Sequence, residues 1–284
     1  MKKCIYVCLI LSLILFTACE NKTKANVIRI GYTGYSFDTS VAYVIKGILS
    51  QQTNLVVELY QLPDSTMFSS LAEKELDIAI SAWLPNTHRS FIEKFPYEIQ
   101  SSGVISDSLG LFVAVPGYAP LSSIEDLKRY SNLLKNNIII PESQNAIYAL
   151  GQSIIHDYDL ENFKLQEMSW DNILTHIEDS LNRTSGFAII TIKPHWIYKR
   201  YNIKTLSDHK KTLGDFEYAS IYVNNEFSKK VPVIADFLSK IKFSIADIED
   251  LMEMNQTLGT EPYENAMRWI EKNNRKVNRW LISE

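Results

Sequence analysis

The sequence predicts an α/β protein of two lobes facing each other across a cleft. Three observations carry that expectation. The chain opens on a β-rich, amphipathic, β-rich alternation of βαβαβ type, the pattern of a parallel sheet covered by helices. The same rhythm returns in the second half. Two extended runs, "LGLFVAVP" (109–116) and the "EYASIYV" stretch near 208–223, stand without a helix before them and read as crossover strands between the lobes.

Taken in order, "VIRIGY" reads as a strand and "DTSVAYVIKGIL" as a helix with Asp38 at its N-cap, since Asp accepts from the free N–H groups of a first turn. "LVVELYQL", "DSTMFSSLAEKE" and "LDIAISA" follow as strand, helix and strand. The second half reads as strand "NIIIP", helix "AIYALGQSIIHDY", strand "FKLQEM", helix "WDNILTHIEDSL", strand "FAIITI" and the segment "PHWIYKRY". The C-terminal third is helical: "PVIADFLSKI", then "SIADIEDLMEMNQ" with a stop at Gly259, then one long helix starting at Pro262. These elements divide the chain into a first lobe of 27–111 with 214–284 and a second lobe of 112–213.

Residues 1–18 carry Lys2 and Lys3, an apolar run from Cys4 to Phe16 and small residues before Cys19. That is the build of a secretory leader, and it is too short to span a bilayer with ordinary flanks. The tetrad "FTAC" resembles the lipobox at which bacterial prolipoproteins are cut and acylated, which makes Cys19 the lipidation site and 19–26 a tether. Losing Lys2 and Lys3 moves the formal charge from −4 to −6, which argues against nucleic acid as a partner. Cys4 and Cys8 leave as well, so Cys19 is the last of three cysteines, and neither a disulfide nor a cysteine metal site is expected.

Trp83 follows "LDIAISA" at the carboxyl end of a predicted parallel strand, where open α/β sheets place their ligand crevices. Pro85 suits the first turn of a helix, which puts Asn86, Thr87 and His88 beside N–H groups that attract anions. A π-face next to anion donors fits a zwitterion with a quaternary ammonium at one end and a carboxylate at the other. A quaternary ammonium has no N–H to donate and is held mainly by aromatic faces. The same residues also fit a Trp packed between helix and sheet beside a surface His.

"AWLPNTH" resembles the signature of substrate-binding proteins of ABC importers for glycine betaine and related compatible solutes. "IKPHWIYKRYNIKTLSD", "GYTGYSFDTSVAYVIKGIL", "AIYALGQSIIHDYDL" and "NAMRWIEKNNRKVNRW" fit the same family, so the similarity covers nearly all of 27–284. The resemblance implies a type II periplasmic-binding-protein fold with two crossover strands, closing on its ligand, with an aromatic cage around a trimethylammonium. Carried over by position, the cage walls fall on Trp83, on Tyr35 and on Ile192, where the family has a third Trp. Ile has no quadrupole, so one wall is missing. Trp170, at the end of "KLQEM", is the substitute candidate, with Tyr148 behind it. His88 matches the family's carboxylate-binding histidine, and a backbone amide loop corresponds to Ala146 and Ile147. His195 and Trp196 are assigned to packing.

The expected ligand is glycine betaine or a relative such as carnitine or proline betaine, with choline ranked lower because it leaves the anion donors idle. The expected partner is an ABC permease in the membrane, served by a monomeric, lipid-anchored, extracytoplasmic protein without cofactor. A lipoprotein that senses a small amine and reports to a signalling partner would need the same lobes. An enzyme is not expected. The chain has no Gly-x-Ser-x-Gly elbow, His-Glu-x-x-His, phosphate loop or dinucleotide fingerprint, and His156, His176 and His209 fall on helix faces or in a loop.

Overall fold

The computed structural model describes residues 27–142 and 144–282. The expected leader, Cys19 and the tether lie outside the described residues. The elements are β1 (Val27–Tyr32), α1 (Ser36–Gln52), β2 (Val56–Gln61), α2 (Asp64–Ala72), β3 (Ile78–Leu84), α3 (Arg89–Lys94), β4 (Ile99–Pro116) and α4 (Asp126–Arg129). They continue as β5 (Asn137–Pro141), α5 (Asn145–Asp157), β6 (Lys164–Met168), α6 (Trp170–Asn182), β7 (Ile189–Lys193), α7 (Ile197–Arg200), β8 (Ile203–Thr205) and β9 (Glu217–Asn224). The chain ends with α8 (Phe227–Lys230), α9 (Pro232–Lys240), α10 (Ile245–Met254), α11 (Pro262–Lys272) and α12 (Asn274–Leu281).

The strands run in the order β2-β1-β3-β9-β4-β7-β5-β6, with β8 on β4. β1 is parallel to β2 and β3, and β5 is parallel to β6 and β7, as the βαβ reading requires. β9 is antiparallel to both β3 and β4. The junction is made by β4. From Ile99 to Leu109 it pairs with β9, and from Gly110 to Ala114 it pairs with β7 instead. One strand thus belongs to both halves, and the return path through 206–216 delivers the chain back to β9.

Each half has its own core. Phe37, Val41, Val44, Ile45 and Ile48 line the buried face of α1 against Ile30, Ile78 and Ile80 of the sheet, with Leu251, Trp269 and Trp280 from the C-terminal helices. A second cluster joins Val113, Val115, Ile138, Ile140, Ile154 and Ile190. β3 is buried along its whole length, which explains its unbroken apolar run: a strand covered on both faces has no polar side to alternate with.

Four local expectations need correction. Asp38 is not the N-cap of α1. The cap is Tyr35, whose N–H is received by Thr33 Oγ1 at 3.2 Å, and Asp38 lies inside the first turn, buried. Pro85 does not start a helix; it sits in a turn and α3 begins only at Arg89. α10 stops at Met254, well before Gly259. The long C-terminal helix is two helices, divided at Asn273, whose main-chain N–H and side-chain amide both donate to the Trp269 carbonyl at 2.9 Å.

Candidate ligand-binding site

The site is organised by a bulge in β3. Ala79 pairs with Tyr222 and Ala82 with Ser220, so two residues of β3 face one of β9. Ser81 absorbs the extra residue at φ 70°, a left-handed conformation that costs a serine backbone energy. The consequence is directional: the Trp83 indole N–H donates to Ser81 Oγ at 2.8 Å, fixing the ring.

Two rings meet that indole edge-on, Tyr35 at 5.9 Å and Phe37 at 5.6 Å between centroids. Tyr35 and Phe37 are themselves parallel, 6.5 Å apart with an interplanar angle of 5°. Tyr35 thus comes together with Trp83 as expected. Phe37 was missed, because a Phe at the start of an amphipathic helix reads as core; only its place beside Asp38 marked it. The Tyr35 hydroxyl donates to the Pro194 carbonyl at 3.0 Å, tying the start of α1 to the segment after β7.

Ile192 is half-buried and packs against the apolar cluster that contains Phe37 and Trp83. Trp170 joins a second stack. It opens α6 behind the Ser169 cap and stacks on the His195 ring at 5.1 Å and 9°, and His195 in turn meets Trp196 at 5.4 Å. Burial pushes the His195 imidazole down to about 4, so the stacked ring is neutral at pH 7. Tyr148 is exposed.

The expected anion donors are largely engaged within the chain. His88 Nδ1 accepts the Trp83 main-chain N–H at 2.7 Å. The neutral ring then carries its proton on Nε2, which lies 3.3 Å from Asp64 Oδ1. The ring is only 7% exposed, lies against Phe68 and Phe91, and has its pKa lowered by burial against the opposing pull of Asp64. For His88 to reach a ligand carboxylate, Nε2 has to leave Asp64. The Asn86 and Thr87 N–H groups donate to Glu217 Oε1 at 2.8 and 2.7 Å, and Thr87 Oγ1 donates to Oε2 at 2.7 Å. The turn does attract a negative group, as its geometry demands, but the group is the protein's own. Ala146, exposed, and Ile147, half-buried, stand in the first turn of α5, where main-chain N–H groups lack intrahelical acceptors.

Two buried carboxylates, whose charges both raise the Tyr35 pKa beyond the effect of its burial, were left out of the site by the sequence reading. Asp38, 3% exposed, accepts from Thr33 Oγ1 at Oδ2 and neighbours Ser81, while Oδ1 has no hydrogen-bond partner. Burial pushes its carboxyl up to about 7 against the hydrogen bonds from Thr33 and Ser81. Glu249 of α10 is 8% exposed, and its Oε1 has no hydrogen-bond partner. Burial raises it to about 7 as well, against the attraction of Lys193.

Residues 26–272 match the OpuAC family model, the substrate binding domain of ABC-type glycine betaine transport systems. The glycine betaine/carnitine transport binding protein GbuC of Listeria monocytogenes is 26% identical over 165 residues, 57% of this chain and 53% of that protein, so the match spans about half the relative's length. Lactococcal OpuAC, in a closed form complexed with glycine betaine, superposes at a TM-score of 0.69 with 24% identity over 90% of this chain and 100% of that one. ProX of Borrelia burgdorferi, described as a glycine betaine and L-proline binding protein, gives 0.66 and 24% over 90% and 97%. At that identity the two structures speak for the two-lobed fold. The family consists of substrate-binding transport proteins rather than enzymes. With a family match running from the first described strand into α11, the chain belongs to the OpuAC family of ABC-importer substrate-binding proteins.

Proposed function

We propose that the protein is the extracytoplasmic, lipid-anchored receptor of an ABC importer, capturing glycine betaine or a close relative such as carnitine, proline betaine or choline and handing it to the permease. The lobes are 27–111 with 214–284 and 112–213, hinged at the crossover segments and closing over the ligand. The observation that carries this reading is the Trp83–Tyr35–Phe37 ring cluster at the carboxyl end of β3. Such rings hold a methylated cation without needing hydrogen bonds from it. For a betaine carboxylate, the amides of Ala146 and Ile147 are the donors at hand, joined by His88 once Nε2 turns from Asp64. Cys19 carries the anchor.

Calorimetry of the protein against a panel of methylated amines tests the proposal. At least one ligand binds in the micromolar range, about −8 kcal/mol, and Trp83→Ala weakens it by about 10- to 100-fold, the worth of a desolvated cation–π wall and its apolar contact. A panel in which nothing binds more tightly than about 1 mM sinks the assignment. A loss below about fivefold in Trp83→Ala removes that residue from the cage.

A further inference from the structure

Resting on the two-lobed receptor reading above, we infer that residues 194–200 form a strap that holds the lobes shut, with Tyr35, Lys199 and Arg200 as its positioning residues. Retention of the ligand is then set in part outside the aromatic cage.

By chain order the segment belongs to the second lobe, between β7 and β8. Its packing belongs to the first, since Trp196 and Ile197 are buried in the cluster that holds Phe37, Trp83 and Leu251. Polar contacts fasten it there at three points. The Tyr35 hydroxyl donates to the Pro194 carbonyl at 3.0 Å, Lys199 Nζ lies 2.6 Å from Asp250 Oδ1, and Arg200 Nε and Nη2 lie 3.2 and 3.1 Å from Glu253 Oε1. Asp250 and Glu253 are three residues apart on α10 and so share one helix face, which meets two consecutive residues at the end of α7. On its other side the segment is tied to α6 of the second lobe. The Trp170 and His195 rings stack at 5.1 Å, and the Tyr201 hydroxyl donates to Glu178 Oε1 at 2.7 Å.

The three fastenings differ in weight. The Arg200 guanidinium lies 4.5 Å from the centre of the Trp196 ring as well as donating twice to Glu253. Stacked and forked in this way, it has little freedom left to lose on pairing. Lys199, whose side chain is 54% exposed, makes the weaker ion pair. Tyr35 has two duties: its ring is a wall of the proposed cage, and its hydroxyl is aimed by the second lobe.

A hinge motion that parts α7 from α10 breaks all three contacts together. The shut form is therefore favoured by groups that touch no ligand, and apparent affinity scales with the fraction of molecules in that form. Two of the contacts are ion pairs, which salt screens as the Debye length falls from about 10 Å at 0.1 M to about 3 Å at 1 M. Retention accordingly weakens as salt rises.

The experiment measures glycine betaine affinity by calorimetry and its release rate by stopped-flow Trp fluorescence. The proteins are the parent, Tyr35→Phe, Arg200→Glu, the swapped pair Arg200→Glu with Glu253→Arg, and Trp83→Ala. Arg200→Glu weakens binding by about 5- to 10-fold, mainly through faster release, and the swapped pair recovers to within about twofold of the parent. Tyr35→Phe, which keeps the ring, loses about threefold, and raising salt from about 0.1 M to about 1 M costs the parent about threefold but Arg200→Glu less. Parent affinity in Arg200→Glu overturns the inference, and so does a loss that the swapped pair fails to restore. Should the charge reversals not fold, parent affinity in both Arg200→Gln and Tyr35→Phe overturns it. If Trp83→Ala loses the ligand while the strap variants bind like the parent, the receptor reading stands and the strap alone falls. If the parent binds no quaternary amine, that reading falls, and small-angle scattering of the ligand-free proteins judges the strap: a radius of gyration no larger in Arg200→Glu than in the parent overturns it.

Discussion

The carboxyl ends of β3 and β7 meet at the same junction and are furnished in opposite ways. β3 ends in Ser81, Ala82, Trp83 and Leu84, with a bulge that aims the indole and the buried Asp38 nearby. β7 ends in Thr191, Ile192 and Lys193, an aliphatic wall followed by the Pro194 carbonyl that receives Tyr35. One end offers π-faces and charge; the other offers apolar cover and a main-chain acceptor. On the proposed function, recognition of a cationic head is concentrated at the β3 end, with the β7 end as its apolar cover.

The sharpest way to break that contrast is to remove the charge near Trp83 and measure stability without ligand. Asp38 has a folded-state pKa of about 7, above the ordinary value of 3.8, so the native state holds its proton more tightly than the unfolded chain does. The penalty for ionising it is then fully present above pH 7 and fades as the pH falls toward 4. Asp38→Asn should be more stable than the parent by about 2–4 kcal/mol at pH 8 and indistinguishable from it near pH 4, by denaturant titration. The second half supplies the control. The Asp126 carboxyl accepts the Ser122 and Ser123 main-chain N–H groups and is held below its usual range, so Asp126→Asn destabilises at neutral pH. If both variants lower stability at pH 8, the β3 end holds no uncompensated charge and the contrast fails.

What was legible in the sequence follows the same division between local and non-local causes. The inner strands β3, β5 and β7 were readable because burial on both faces leaves an apolar run, as in "LDIAISA". Trp83 was readable because strand ends in open α/β sheets are exposed to the cleft by topology alone. The first half of β4 was not. "IQSSGVISDS" is rich in serine, and it is extended because β9 pairs with it, a contact more than a hundred residues away in sequence. Asp38 was read as a cap because an acid at a helix start usually is one. Its burial depends on Thr33 and Ser81, contributed by different segments, and on a left-handed serine that no pattern announces. Trp170 had the right strand-end position, but its ring partner, His195, is set by the packing of α6 against the segment after β7.

A smaller effect is expected at Glu217, which holds the turn after Trp83 in place of a ligand. Glu217→Ala leaves two part-buried N–H groups and a hydroxyl without their acceptor, at a cost of about 1.5–3 kcal/mol in stability. Glu217→Gln keeps one acceptor oxygen and recovers about half of that. Equal losses in both variants would mean that packing at the start of β9, rather than the hydrogen bonds, fixes the turn.

The smallest expected effect is also the most direct attempt to make the two strand ends alike. Ile192→Trp restores an aromatic wall at the β7 end. A further cation–π face is worth about 0.5–2 kcal/mol, so affinity for a quaternary amine rises by about 2- to 30-fold. Ile192 is already half-buried against the cluster holding Phe37 and Trp83, so the larger ring also strains the junction, lowering stability by about 1–3 kcal/mol. The two outcomes separate by measurement: calorimetry reads the wall and denaturant titration reads the strain. Tighter binding with reduced stability means that β7 can be made to read the cation. A variant of parent stability with no gain in affinity puts position 192 outside the cage, leaving the β3 end as the part of the site that senses the cation.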